Sequence, residues 1–284
     1  MYRFASQEIK EFVSKPLFDE KVLLDKDTSY PKISIVTPSY NQGQFLERTI
    51  LSVLNQNYPN LEYIIIDGGS TDGSVEIIKK YEKYLAYWVG EKDNGQSHAI
   101  NKGLKMATGD IVAYLNSDDL YTPLSFKIVA KFFTENPGVD MVYSECLIIH
   151  EENDVERMPP VRKKISLELL VHGHCCFYQP TVFWTKKILN KVGLFDENLH
   201  YLMDRDYWIR VGRNSANVRY IPEYLAVYRF HKTCKSAIKS KSFNFEREVI
   251  AKKHGGNYFL MWLIRNGRLI YSCCFRLLER WLNG

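Results

Sequence analysis

No segment of this 284-residue chain reaches the roughly 18 uncharged apolar residues of a membrane-spanning helix, so none is expected. The opening stretch MYRFASQEIKEFVSKP holds no apolar core of the secretory-signal type, so export by such a signal is not expected either. Of the six cysteines none forms a C-x-x-C unit, and Cys175-Cys176 and Cys273-Cys274 are vicinal pairs. Adjacent cysteines do not easily reach one tetrahedral metal. HGHCC (172–176) is therefore not expected to hold zinc, and the thiols read as reduced, in a cytosolic chain. G-x-G-x-x-G is missing after the first candidate strand, where TPSYNQGQF carries a single glycine, and a P-loop is missing throughout. Phosphates are thus not expected in a glycine-rich cradle. Internal repeats and low-complexity tracts are also absent.

Apolar residues make up 45% and charged residues 25%, the balance of a globular protein with a sizeable core. The net charge of +5 is unevenly spread. Residues 232–284 hold eleven of the 38 Lys and Arg but only three of the 33 Asp and Glu, which leaves a slightly acidic body. Such asymmetry points to an anionic surface as partner. The basic tail carries no accompanying nucleic-acid motif, so nucleic acid is not an expected partner.

Periodicity gives the class. Ile33 to Val36 is a β-branched run stopped by Pro38, and Leu46, Ile50, Val53 and Leu54 then recur at helical spacing. EYIIIDGGSTDGS reads as a strand ending in Asp67 and a glycine turn, followed by a helix that Asp72 or Ser74 caps. AYWVGE is a third strand, Ser97 to Met106 a helix, and IVAYLN a fourth strand. Alternating helices with short uninterrupted apolar strands predict an α/β fold, its mostly parallel sheet flanked by helices. Ligands of such sheets bind outside the carboxyl ends of the strands. At those ends stand Thr37-Pro38-Ser39-Tyr40-Asn41, Asp67-Gly68-Gly69-Ser70, Glu91-Lys92-Asp93-Asn94-Gly95 and Asn116-Ser117-Asp118-Asp119. Two adjacent acids repel unless a cation lies between them. Mg²⁺ and Mn²⁺ are held by one or two carboxylates together with the substrate's own phosphates. Alternatively, the acids cap the next helix, with Pro123 in its first turn.

ISIVTPSYNQGQFLERTILSVLNQNYPNLEYIIIDGGSTDGS, NGQSHAINKG, LNSDD and MDRDYWIR, in this order, resemble glycosyltransferase family 2 across roughly residues 31–231. The resemblance implies a GT-A-like (Rossmann-like) fold and inverting transfer of a sugar from a nucleotide-diphosphate sugar, with Mn²⁺ or Mg²⁺. It implies that Pro38 and Tyr40 pack on the nucleoside, that Asp67 and Asp93 lie near base and ribose, and that Asn116-Ser117-Asp118 fills the D-x-D position. Asn116 replaces the first acid there and Gly68 a second acid after Asp67. Ile100 stands where relatives often carry Arg, and Met203 where they carry Glu. Asp118 then matches the metal ligand, Asp204 the catalytic base, and His231 a histidine near metal and diphosphate.

A carboxylate within reach of the acceptor hydroxyl takes its proton, and a single displacement inverts the sugar carbon. Bland readings stand beside these. Asp204 is also placed to favour a helix N-terminus, His231 to serve as a hydrogen-bonded structural residue, and Asp119 and Asp206 as local structural acids. Trp184 and Trp208 suit the core, although Trp184 also suits stacking on a sugar, and Gln179 and His174 suit the acceptor side. The expected layout is an N-terminal extension (1–31), a GT-A domain (32–235) and a basic amphipathic helical tail (236–284). In 257–282, Arg265, Arg268, Arg276 and Arg280 fall within about a third of the helix circumference, the rest being largely apolar. That helix either lies peripherally in a membrane interface or packs on protein. A saccharide or lipid-linked saccharide is the expected acceptor, in cell-envelope polysaccharide synthesis. A sugar nucleotidyltransferase and a non-catalytic nucleotide- or sugar-binding module are the alternatives. The first needs a glycine- and Arg/Lys-bearing signature that TPSYNQGQ lacks, and the second would have lost Asp118 or Asp204.

Overall fold

The computed structural model describes residues 6–150, 155–164, 166–173, 177–235, 237 and 241–257. Strands β1 (Ile33–Ser39) and β2 (Leu61–Asp67) are buried at every position, and β4 (Ile111–Tyr114) likewise. Burial on both faces suits their largely apolar sequences. β1 pairs in parallel with β2 on one side and β4 on the other, and β3 (Tyr87–Gly90) extends β2 in parallel. Helices α3 (Gly43–Leu54), α4 (Ser74–Tyr81) and α5 (Gln96–Met106) make the crossovers. α5 seats closely on β1, because a Cβ at Gly103 would lie 2.3 Å from Val36 Cγ1.

The sheet goes further than the parallel unit expected from the sequence. It has nine strands in the order β3-β2-β1-β4-β8-β6-β9-β5, with β7 (Val155–Arg157) on β6. Beyond β4 the pairing turns mixed. β8 (Phe183–Thr185) is antiparallel to β4 and to β6 (Met141–His150), whereas β6 and the 13-residue β9 (Val218–Phe230) run in parallel. The register slips at Ser144, Glu145 and Cys146, opposite the stretch of β9 that contains Pro222, a residue with no N–H for the ladder.

Two further pairings place the site. β5 (Leu120–Tyr121) follows Asp119 directly and is antiparallel to β9, with Leu120 opposite Val227. This register carries the start of the LNSDD turn's strand to the last residues of β9, just before His231. Helix α6 (Ser125–Glu135) follows, and no carboxylate of Asp118 or Asp119 caps it. α7 (Leu167–Val171), α8 (Lys186–Val192), α9 (Met203–Arg213) and α10 (Lys241–Lys253) are the α-helices of the later half among the described residues.

One large core spans both halves of the sheet. A smaller one joins Ile9, Phe12 and Val13 of the leading segment to Leu120, Leu147, Ile149 and Val227. That segment, with α1 (Ser6–Phe12) and α2 (Glu20–Leu24), is tied to the end of α3 by Asn55, whose side chain donates to Lys15 O (3.0 Å) and accepts from Leu17 N (2.8 Å). Among the described residues no helix is long and apolar enough to cross a membrane, and Cys146 and Cys234 are buried free thiols. The expected amphipathic helix at 257–282 lies outside the described residues beyond Asn257.

Candidate active site

At the carboxyl ends of β1 to β3, the aspartates divide into loop builders and cleft-facing groups. Asp67 is fully buried. Its Oδ1 accepts from Gly69 N (3.1 Å) and Ser70 N (2.8 Å), and its Oδ2 from Ser70 Oγ (2.6 Å). It thereby shapes the turn on which the next residues sit. Gly68 is needed for close approach: a Cβ there would lie 2.8 Å from Asp93 Oδ2 and 3.2 Å from the Tyr40 ring. A larger residue at this position would have to displace the Asp93 side chain or the Tyr40 ring. Asp93 also accepts from Gly95 N (2.7 Å), and Tyr40, 61% exposed, leaves a ring face open beside it. Pro38 lies in buried β1 opposite Ile66, a residue before the turn.

The end of β4 carries a chain of amides. Gln179 Nε2 donates to Tyr114 O (2.9 Å), which can only accept. Gln179 Oε1 is then free to accept from Asn116 Nδ2 (3.2 Å), and Asn116 Oδ1 accepts from Gln96 Nε2 (2.6 Å). Ser117 is buried, and its carbonyl accepts from Thr49 Oγ1 (2.9 Å), so α3 braces the turn from below.

Asp118 and Asp119 separate into two roles. Asp119 is buried, and its Oδ1 accepts from Arg229 N (3.0 Å) and its Oδ2 from Asn116 Nδ2 (3.2 Å). Burial, then the neighbouring Asp118 charge, pushes its carboxyl well above the ordinary range, against the pull of Arg229 and Asn116. Asp118 keeps 19% of its side chain exposed, and its Oδ2 lies 3.0 Å from Nε2 of the nearly buried His231. An ionised carboxylate only accepts, so that ring nitrogen donates, and Nδ1 accepts from Thr233 Oγ1 (2.9 Å). The His231 ring also rests on Phe45, with centroids 4.6 Å apart. Arg229, buried, spans the same corner. Its Nε donates to Asp118 O (3.0 Å), and its guanidinium lies 4.9 Å from the centroid of the Phe45 ring.

Helix α9 carries the remaining acids. Burial raises the Asp204 carboxyl above its ordinary value, opposed by the Arg205 N–H that it accepts at 2.7 Å. Asp206 is fully buried and structural: it accepts from Arg210 Nε (2.9 Å), His254 Nε2 (2.8 Å) and Lys253 Nζ (2.9 Å). Burial raises its carboxyl, but the hydrogen bonds from His254, Lys253 and Arg210 and the Arg210 charge outweigh that and hold it low. Burial lowers the Lys235 ammonium, while the charges of Glu246, Asp118 and Asp204 act against this.

Trp184 is a correction. It is fully buried among Tyr114, Phe195, Tyr207 and Trp208, with ring centroids 5.3–6.4 Å away, so no sugar reaches its face. His174 lies outside the described residues. Sequence reasoning missed Arg229, Thr233, Thr49 and Lys235. No spacing announces them: Thr49 matters only once α3 packs under the turn at Ser117, and the others only once β9 folds back on β5. Among the described residues no group of three or more His, Cys, Asp or Glu converges as a ready-made metal site. The Asp118–His231 pair nevertheless fits a cation that takes its remaining ligands from a substrate. One oxygen and one imidazole nitrogen already share a proton that a cation would replace, a set better suited to Mn²⁺ than to Mg²⁺.

A curled sheet whose parallel strands end in acids, joined to a mixed half that returns a histidine to them, is the GT-A glycosyltransferase fold. The structure of S. aureus TarS 1–349 in complex with UDP-GlcNAc aligns with a TM-score of 0.65 and 20% identity, over 78% of this chain and 66% of that one. The mannosyltransferase PcManGT from Pyrobaculum calidifontis, in complex with GDP-Man and Mn²⁺, aligns with a TM-score of 0.57 and 20% identity, over 82% and 65%. The chain thus spans about two thirds of the length of these structural neighbours. The family model for glycosyl transferase family 2 matches residues 34–192, and the chain belongs to that family. A Haemophilus influenzae protein named only as a glycosyltransferase is 30% identical over 254 residues, 85% of this chain and 98% of its own length. TuaG of Bacillus subtilis, a glycosyltransferase assigned to teichuronic acid biosynthesis, is 44% identical over 94 residues, 31% of this chain and 36% of that protein.

Proposed function

We propose that this glycosyltransferase moves a sugar with inversion from a nucleotide-diphosphate sugar to a saccharide or lipid-linked saccharide, in cell-envelope polysaccharide synthesis. The observation that carries the reading is the Asp118–His231 contact, which joins two residues far apart in sequence at 3.0 Å beside a half-open cleft. The nucleotide sugars held by TarS and PcManGT, and the assignment of TuaG, support the substrate class.

In this reading the nucleoside lies against Tyr40 and Pro38, with Asp93 at its edge and Asn116 and Ser117 at the ribose. Asp67 acts through the turn it builds. Asp118 and His231 hold a divalent cation, Mn²⁺ or Mg²⁺, which when bound stabilises the charge of the departing diphosphate. Asp204 accepts the proton of the acceptor hydroxyl, and its raised carboxyl suits a base working near neutral pH. The hydroxyl oxygen bonds to the anomeric carbon as the carbon–phosphate-oxygen bond breaks, and the proton ends on Asp204. One displacement at one carbon gives inversion. Gln179 lines the acceptor side. The enzyme works in the cytoplasm, with residues 257–282 resting on the membrane that presents the acceptor.

The test is a panel of UDP-, GDP- and dTDP-sugars, with nucleoside diphosphate release and product configuration read by NMR, with and without Mn²⁺. One donor turned over only with cation, giving a product of opposite anomeric configuration, is the expected result. Retained configuration would overturn the single-displacement reading.

A further inference from the structure

The helix that carries Asp204 has no cap of its own. Leu202 stands at the N-cap of α9, and its side chain accepts nothing. The stretch that leads into it is held instead from α10. Glu246, only 6% exposed, accepts from His200 N through Oε1 (2.8 Å) and from Tyr201 N and Leu202 N through Oε2 (both 2.9 Å). Three successive amides close on one carboxylate, immediately before the helix begins. Lys235 holds the same segment by its acceptor, donating from Nζ to His200 O (2.8 Å). Ser97 of α5 donates to Leu199 O (2.8 Å), and at the other end of the contact Lys253 and His254 hold Asp206.

We propose that Glu246 is a positioning residue for sugar transfer: it fixes the lead-in to α9 and thereby the Asp204 carboxylate. The inference rests on Asp204 being the base. A carboxylate at a helix N-terminus gains from both the aligned peptide dipoles and charge-assisted N–H bonds. Its place on α10, 44 to 46 residues beyond the amides it holds, makes the base depend on a segment distant in the chain. A base displaced by about 1 Å loses on the order of 10²-fold in rate.

The test uses the full chain with Glu246→Gln and Glu246→Asp. Gln keeps the shape but turns an NH₂ toward amide donors, and Asp keeps the charge but falls one methylene short. Both variants are expected to bind UDP or GDP with Mn²⁺ as the wild type does. Donor KM should hold while kcat falls about 10–100-fold for Gln and less for Asp. Amide NMR provides a readout that needs no turnover. The amides of residues 200–202 should move upfield, and the change should extend to Asp204 and Arg205. A lowered melting temperature with unchanged kcat overturns the proposal, as do shifts that stop at Leu202. Should no donor be turned over by the wild type, the functional reading fails while the NMR result still decides the positioning claim. Should the Gln variant not fold, the Asp variant carries both measurements.

Discussion

Glu62 offers a quantitative test of how the sheet is pinned at the end away from the cleft. It sits on β2 opposite Ser34 of β1, with its side chain only 9% exposed. It accepts from Ser34 Oγ (2.5 Å), Thr108 N (2.6 Å) and Thr108 Oγ1 (2.6 Å), and pairs with Lys32 Nζ at 2.7 Å. Burial raises its carboxyl, but these partners outweigh that and bring it from 4.5 down to about 2. At 1.36 kcal/mol for each unit, the carboxylate contributes about 3 kcal/mol of stability at neutral pH. The sign follows from the depressed value. The contribution is complete above the unfolded value near 4.5 and disappears as pH falls through about 2. Glu62→Gln should therefore cost about 2–3 kcal/mol at pH 7, and the two stability curves should converge near pH 2. Urea unfolding from pH 7 to pH 2 measures both. Nucleotide binding should not change, since the site lies at the opposite ends of the same strands. A gap that stays constant across this pH range would refute the reasoning.

Asp204→Asn should reduce turnover about 10²–10⁴-fold with nucleoside diphosphate binding intact, and steady-state kinetics beside calorimetry separates the two. In the wild type, activity should fall with acid through a value above the ordinary aspartate range, because burial raises the carboxyl that must be ionised. Gly103→Ala should destabilise by about 1–3 kcal/mol, since its methyl would meet Val36 at 2.3 Å. Adding Val36→Ala should recover part of that loss, a coupling that a thermal-unfolding double-mutant cycle detects.

The parallel half of the fold was readable because a strand buried on both faces favours a largely apolar run, as in Ile33 to Val36, broken only by Ser34, and Tyr63 to Ile66. The mixed half was not. β9 is interrupted by Pro222 and Glu223 and alternates in exposure, so VRYIPEYLAVYRF carries no single period. This pairing is what unites the site, because Asp118 and His231 meet only through the register of β5 on β9. The resemblance supplied both residues as candidates, whereas residue spacing alone supplied Asp118. Glu246 stayed hidden for a different reason. A basic, amphipathic tail reads as a surface feature, and nothing in its pattern says that one glutamate turns inward to hold the lead-in to a distant helix. Trp184 was ambiguous because an aromatic ring suits a sugar and a core equally, and only its burial decides.

The central claim is that Asp118 and His231 together hold the cation that meets the diphosphate. Calorimetry of UDP and GDP, each with and without Mn²⁺, on wild type, Asp118→Ala and His231→Ala tests it most directly. The account predicts that one nucleotide binds the wild type tightly only with Mn²⁺ and that either substitution abolishes the Mn²⁺ dependence. Equal binding with and without Mn²⁺ in the wild type, or Mn²⁺-dependent binding retained by both variants, would contradict it.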